Sequence, residues 1–138
     1  MSDVSMSERA DTTRRIWLCA DDYGISGAVN TAIRDLVVRG RLNATSVMVV
    51  APSFHRSEAI SLSMLNSVAP RVAIGLHVTL TAPFRPLSTG FRPLREGAFL
   101  PLPATFSHAL RRRFKHDALK AEIARQLDRK STRLNSSH

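Results

Sequence analysis

One cysteine, one tryptophan and one tyrosine occur in 138 residues. A lone Cys19 cannot close an internal disulfide, which suits a reducing compartment and makes a cytoplasmic location the default. No apolar run approaches the roughly 18 residues a transmembrane helix needs, so no membrane partner is expected. Met1 to Arg15 is polar and lacks the apolar centre of a secretory signal. Six glycines and seven prolines are too few for a collagen-like or linker-like chain. Lysine is absent from residues 1–107, where eleven arginines face eight acids. Residues 108–138 hold nine basic and three acidic side chains, so most of the net charge of +9 lies there. With 43% hydrophobic and 22% charged residues, the chain supports one globular unit.

Residues 1–14 read as a flexible arm, 15–129 as the folded unit and 130–138 as a tail. Ile16-Trp17-Leu18-Cys19-Ala20 is an apolar run of buried-strand length, ending abruptly at Asp21-Asp22-Tyr23-Gly24. Ser26 is placed to cap a helix whose face is Val29, Ile33, Leu36 and Val37, with Gly40 as its stop. The same order recurs. Thr45 to Val50 is β-rich, Pro52-Ser53 breaks it, and Phe54 to Leu65 is a weaker helix. Val72 to Val78 predicts a third strand. Apolar strands separated by helices predict an α/β fold with a parallel sheet. Residues 80–105 carry five prolines and two glycines; such a loop reads as a rim over a site or as a plain excursion. Helical pattern returns near Phe106, and Leu119, Ile123 and Leu127 recur every fourth residue. Lys130 to His138 is Ser-rich without an apolar period. It is expected to leave that helix, resembles translated sequencing-adapter read-through, and places the native end near Arg129.

Asp21-Asp22 falls at the carboxyl end of the first strand, the end at which parallel α/β folds bind ligands. Adjacent carboxylates repel unless a cation or shared proton intervenes, so the pair suits a metal ligand beside a general base. An acidic turn is the plain alternative. His77 closes the third strand at the same sheet end, as a structural imidazole or as a second ligand. A catalytic metal site normally takes three protein ligands. His55, His108, His116 and His138 are candidates for the third, none with strand-end placement. Cys19 reads as core, with a nucleophile role as the lesser alternative. No GxSxG, Walker A, GxGxxG, HExxH or CxxC motif is present, which leaves serine hydrolase, P-loop and dinucleotide-binding readings without support.

Ala20-Asp21-Asp22-Tyr23-Gly24-Ile25-Ser26 with Ala28-Val29-Asn30, then Gly40, Ala44 to Val49 and Pro52, then Gly75-Leu76-His77-Val78-Thr79-Leu80-Thr81, resemble three ordered motifs of the YdjC-like carbohydrate deacetylases (the ChbG/HpnK family). The resemblance implies a distorted (β/α) TIM-like barrel with its active site at the carboxyl strand ends. It implies removal of acetyl groups from N-acetylated sugars such as chitooligosaccharides. Carried over by motif, Asp22 and His77 become ligands of a divalent metal ion (Mg or Zn), and Asp21 the general base. A further histidine ligand is expected beyond the Glu122–Asp128 segment. A full barrel takes about 250 residues, so the chain is expected to be the truncated N-terminal half of such a barrel, with weak metal binding and little activity. Its open sheet edge invites homodimer formation. Two other classes stay open: a basic nucleic-acid or polyanion-binding module built on Arg111, Arg112, Arg113, Lys115, Lys120 and Arg125, and a non-catalytic sugar-binding relative. No nucleic-acid partner is expected under the main reading.

Overall fold

Strand formation begins later in the chain than the apolar pattern predicts. The structure, a computed structural model, describes residues 14–68 and 72–135. Apart from Arg14, the predicted N-terminal arm lies outside the described residues. The first strand, β1, spans Cys19–Tyr23 rather than Ile16–Ala20. Residues 16–18 are instead tied down by one side chain. Asn43 accepts from the Leu18 amide at 2.7 Å and donates to the Ile16 carbonyl at 2.8 Å. Among the described residues β1 is an edge of the sheet, and no described strand lies on the outer side of this entry segment. Ile16, Trp17 and Leu18 are 73%, 72% and 53% exposed.

Helix α1 (Gly27–Val38) starts as its sequence predicts, with the Ser26 hydroxyl accepting from the Val29 amide at 3.2 Å. It buries Ile33 and Val37 together with Asn30, while Leu36 turns outward. Beyond its end, Gly40 adopts φ +66° and donates to the Val37 carbonyl at 2.9 Å. Strand β2 (Ala44–Val47) follows, then α2 (Arg56–Ser63), a single turn α3 (Leu65–Val68) and β3 (Ala73–Leu76). The strand order is β1-β2-β3 and both pairings are parallel, so β2 is central. This is the α/β architecture expected, an open sheet whose two edges are β1 and β3. Tyr23, Val37, Val47, Val49, Phe54 and Leu62 form the middle of its core.

Residues 77–101 form an irregular segment with a small aromatic nucleus of its own. Phe91 and Phe99 are buried and meet edge to face at 5.1 Å between centroids, and Phe114 packs on Phe91 at 6.1 Å. Helix α4 (Leu102–Leu110) starts four residues before the predicted Phe106, because Pro103 suits a first helical turn, where its missing N–H costs nothing. Helix α5 runs His116–Asn135. One expectation is corrected by this helix: Lys130 to Asn135 continue it instead of leaving it. No Gly or Pro interrupts α5, Leu134 packs against the core, and Arg133 donates to the Phe54 carbonyl and lies 5.4 Å over the Phe54 ring. The fully buried side chains of α5 are polar, Glu122 and Gln126, while Ile123 and Leu127 are 38% and 49% exposed.

Candidate active site

The acidic pair sits on an irregularity in the ladder. Cys19 pairs with Ala44 and Ala20 with Thr45, but Tyr23 pairs with Val47. Strand β1 therefore spends one residue more than β2 between Ala20 and Tyr23, which is a β-bulge at Asp21-Asp22. Asp22 takes φ +68°, a left-handed conformation tolerated by Asp better than by most residues. In a regular strand successive side chains point to opposite faces. The bulge breaks that alternation, and both carboxylates reach the group formed with β2 and β3.

Ser46 of β2 donates to Asp21 Oδ1 at 2.6 Å, and its hydroxyl oxygen lies 3.2 Å from His77 Nδ1. That nitrogen is 3.4 Å from Asp22 Oδ1. His77 follows β3 directly, and its amide donates to the Val47 carbonyl at 2.9 Å, extending the β2–β3 ladder by one step. Thus Asp21, Asp22 and His77, far apart in sequence or crowded in it, meet at one end of the sheet. The Ser46 hydrogen bond holds the Asp21 carboxyl below its usual range; partial burial opposes this, while the Cys19 thiol and the charge of His77 add to it. The group is open to solvent, with the Asp22 side chain 51% exposed.

Other histidines stand apart. His55 precedes α2 and contacts Ser57 Oγ at 3.0 Å, His108 packs edge to face on Phe114, and His116 is exposed beside Asp117. His138 lies outside the described residues. Among the described residues no set of three or more His, Cys, Asp or Glu side chains gathers as a metal-holding group. Asp22 and His77 nevertheless bring a carboxylate and an imidazole to the same place, ligand types that fit Zn²⁺ and several other divalent ions. Cys19 is exposed rather than core, because β1 is an edge. What burial it has, then the charge and hydrogen bond of Asp21, raise its thiol pKa. That shift favours thiol over thiolate, the less nucleophilic form over the more nucleophilic one.

Two further groups hold the site in place and were not singled out by sequence pattern. Tyr23 is fully buried; its hydroxyl donates to Glu58 Oε2 at 2.9 Å and accepts from Arg34 at 2.7 Å, while Arg34 also pairs with Glu58. Burial pushes the Tyr23 hydroxyl well above its ordinary pKa. The residue after the acidic pair is thereby locked to α1 and α2. Asn30 accepts from the Gly24 amide at 2.6 Å and donates to the Ser53 carbonyl at 3.2 Å, joining the loops that follow β1 and β2. Downstream of His77, Gln126 pairs with both backbone groups of Thr79, at 3.0 and 2.8 Å. Glu122 accepts from the Leu87 and Ser88 amides at 3.0 and 2.7 Å.

The chain is similar to known proteins over much of its length. Carbohydrate deacetylase 2 of Listeria innocua is 37% identical over 84 residues, which cover 61% of this chain and 32% of the relative. The carbohydrate deacetylase of Clostridium beijerinckii is 35% identical over 88 residues, 62% of this chain and 34% of the relative. The chain thus spans about a third of the length of these curated relatives. A solved structure from Enterococcus faecalis V583, provisionally named a cellobiose-phosphate cleavage protein, superposes with a TM-score of 0.63 at 22% identity. It shares the fold over 85% of this chain and 43% of its own. A family model described as YdjC-like protein matches residues 15–133. With that match over most of its length and the acidic bulge facing a strand-end imidazole, the chain belongs to the YdjC-like protein family.

Proposed function

We propose that this segment carries the base and two metal ligands of a carbohydrate N-deacetylase acting on N-acetylated sugars of the chitooligosaccharide type. The observation that carries the reading is the meeting of Asp21, Asp22 and His77 at one sheet end. The names of the two curated relatives support carbohydrate deacetylation as the reaction class. Asp22 and His77 are the residues that would hold a divalent ion, Zn²⁺ or Mg²⁺. Such an ion supplies Lewis acidity at the acetyl carbonyl and at the developing oxyanion. Asp21 does the proton work. Its carboxyl, held below its usual range first by the Ser46 hydrogen bond, is ionised near neutral pH, and an ionised carboxylate can take the proton of the attacking water. Attack by that water on the acetyl carbon, transfer of a proton to the departing nitrogen and cleavage of the C–N bond yield acetate and the free amino sugar. No membrane-crossing helix is found among the described residues. With its exposed free thiol at Cys19, which suits a reducing compartment, we place the protein in the cytoplasm.

The test is acetate release from N-acetylated chitooligosaccharides, with Zn²⁺ or Mg²⁺, by a protein in which this segment is joined to the remaining length of its relatives. Asp22→Ala and His77→Ala each abolish metal-dependent turnover. Asp21→Asn lowers kcat by about 10²–10⁴-fold, the usual contribution of a general base, with little change in KM. Full turnover in either ligand variant removes the assignment of that ligand.

A further inference from the structure

We propose that Ser46 is the positioning residue of this site, a one-proton bridge that fixes the Asp21 carboxylate and the His77 ring together. A hydroxyl has a single proton to donate and lone pairs to accept. At 2.6 Å the Ser46 proton is committed to Asp21 Oδ1. The contact of 3.2 Å to His77 Nδ1 therefore needs its proton from the ring, with Ser46 Oγ as acceptor. The second group facing Nδ1 is Asp22 Oδ1 at 3.4 Å, which is also an acceptor. Two acceptors converge on one nitrogen, so His77 carries its proton on Nδ1, the opposite of the Nε2–H form that imidazole side chains favour in water, and the lone pair with which the ring would hold a metal is that of Nε2.

The backbone makes Ser46 suited to the task. It sits in the central strand, with Ala20 and Tyr23 of β1 flanking the bulge on one side and Gly75 directly across on β3. Pairing with β3 and the flanking pairs Thr45–Ala20 and Val47–Tyr23 hold the Ser46 backbone opposite the bulge, so its hydroxyl lies between the Asp21 carboxylate and the His77 ring. Thr45, the preceding residue, uses its hydroxyl differently, donating to the Ala20 carbonyl at 2.8 Å just ahead of the bulge. The two neighbouring hydroxyls thus divide the work: Thr45 holds the backbone of β1, and Ser46 holds the side chains that follow it.

The role assigned to Ser46 in catalysis rests on the deacetylase reading, but the bridge itself can be read without any turnover. The experiment is long-range ¹H–¹⁵N correlation on histidine-labelled 138-residue chain, without metal, about two pH units above the ordinary imidazole pKa of roughly 6.5. His77→Gln identifies the His77 signals among the five histidines. The expected wild-type pattern has a protonated, pyrrole-like Nδ1 and a pyridine-like Nε2. Ser46→Ala loses this pattern and moves toward Nε2–H, and Ser46→Thr, which keeps the hydroxyl, restores it. A wild-type ring protonated on Nε2 overturns the proposal, whatever the variants do. So does an Nδ1–H pattern that persists in Ser46→Ala, because Asp22 alone then fixes the ring. If Ser46→Ala does not keep a dispersed amide spectrum, Ser46→Cys replaces it, the thiol being a poor acceptor. Failure of the deacetylation assay with an intact Nδ1–H pattern counts against the function and not against the bridge.

Discussion

Gly24, the residue that follows the acidic pair and Tyr23, shows how narrow the tolerance around this site is. Its φ is +108°, and an added Cβ would stand 2.9 Å from the Cβ of buried Phe54 and 3.0 Å from the Met48 carbonyl oxygen. Neither neighbour is a flexible chain end. Gly24→Ala is therefore expected to destabilise by about 2–4 kcal/mol, combining an unfavourable backbone conformation with overpacking. Gly27 has nothing within 4 Å and an ordinary helical backbone, so Gly27→Ala leaves stability unchanged or slightly raised. Urea unfolding of both variants checks the contrast. Asp21 gives a second prediction. Its carboxyl is held down first by Ser46, so it titrates below the ordinary value of about 3.9, and Ser46→Ala moves the midpoint upward. Because the folded value is the lower one, the associated stability is full above the unfolded value. It is lost as pH falls through the folded value, below about pH 4. Asp21 is exposed, so solvent screens the energetic effect. The carboxyl ¹³C shift against pH is the direct measurement, and a midpoint at or above the ordinary value contradicts the account.

Among the elements, what could be read from the chain and what could not separate along physical lines. The shared sheet end was legible although the strand bounds were not: the apolar run stops at Ala20 while β1 runs on through Asp21-Asp22 to Tyr23, yet parallel pairing still puts the acidic pair and His77 on one side. The bulge was not legible: nothing in Cys19-Ala20-Asp21-Asp22-Tyr23 announces that β1 spends an extra residue opposite β2. Ser46 was invisible for a related reason, since a serine within a β-rich run carries no mark of its cross-strand neighbours. The buried role of Glu122 and Gln126 was not legible because their partners lie 34 to 47 residues away. They are backbone amides and a carbonyl, which have no signature in composition. These two side chains anchor the segment that leaves His77. Glu122→Ala removes the acceptor for two amides. Hydrogen bonds to a charged group contribute about 1.5–3 kcal/mol, so exchange at Leu87 and Ser88 is expected to quicken about tenfold or more. Hydrogen exchange followed by mass spectrometry reads this, and unchanged protection of residues 87–88 would show that the loop is held by its aromatic nucleus instead.

At the scale of the whole molecule, the sheet is open where a closed fold would cover it. Strand β1 has one neighbour, and the segment leading into it exposes Ile16, Trp17 and Leu18. Helix α4 exposes Leu102, Phe106 and Leu110, each above 60%, along one face. Unpaired strand edges and adjoining apolar side chains promote association. The charge of +9 works in the other direction, since like-charged chains repel, and added salt weakens that repulsion while leaving burial of apolar surface intact. Trp17 is the chain's one tryptophan and lies on the exposed edge, which makes it a specific reporter. At low concentration and low salt its emission is expected to resemble that of indole in water and to be quenched freely by acrylamide, a neutral probe indifferent to the basic charge. With rising protein concentration or salt, the emission should shift to the blue and quenching fall, in step with an increase in mass by sedimentation. Association without protection of Trp17 would place the contact on the α4 face. A shielded Trp17 in the dilute monomer would mean that the entry segment folds back over the edge, and β1 would then not be an open edge at all.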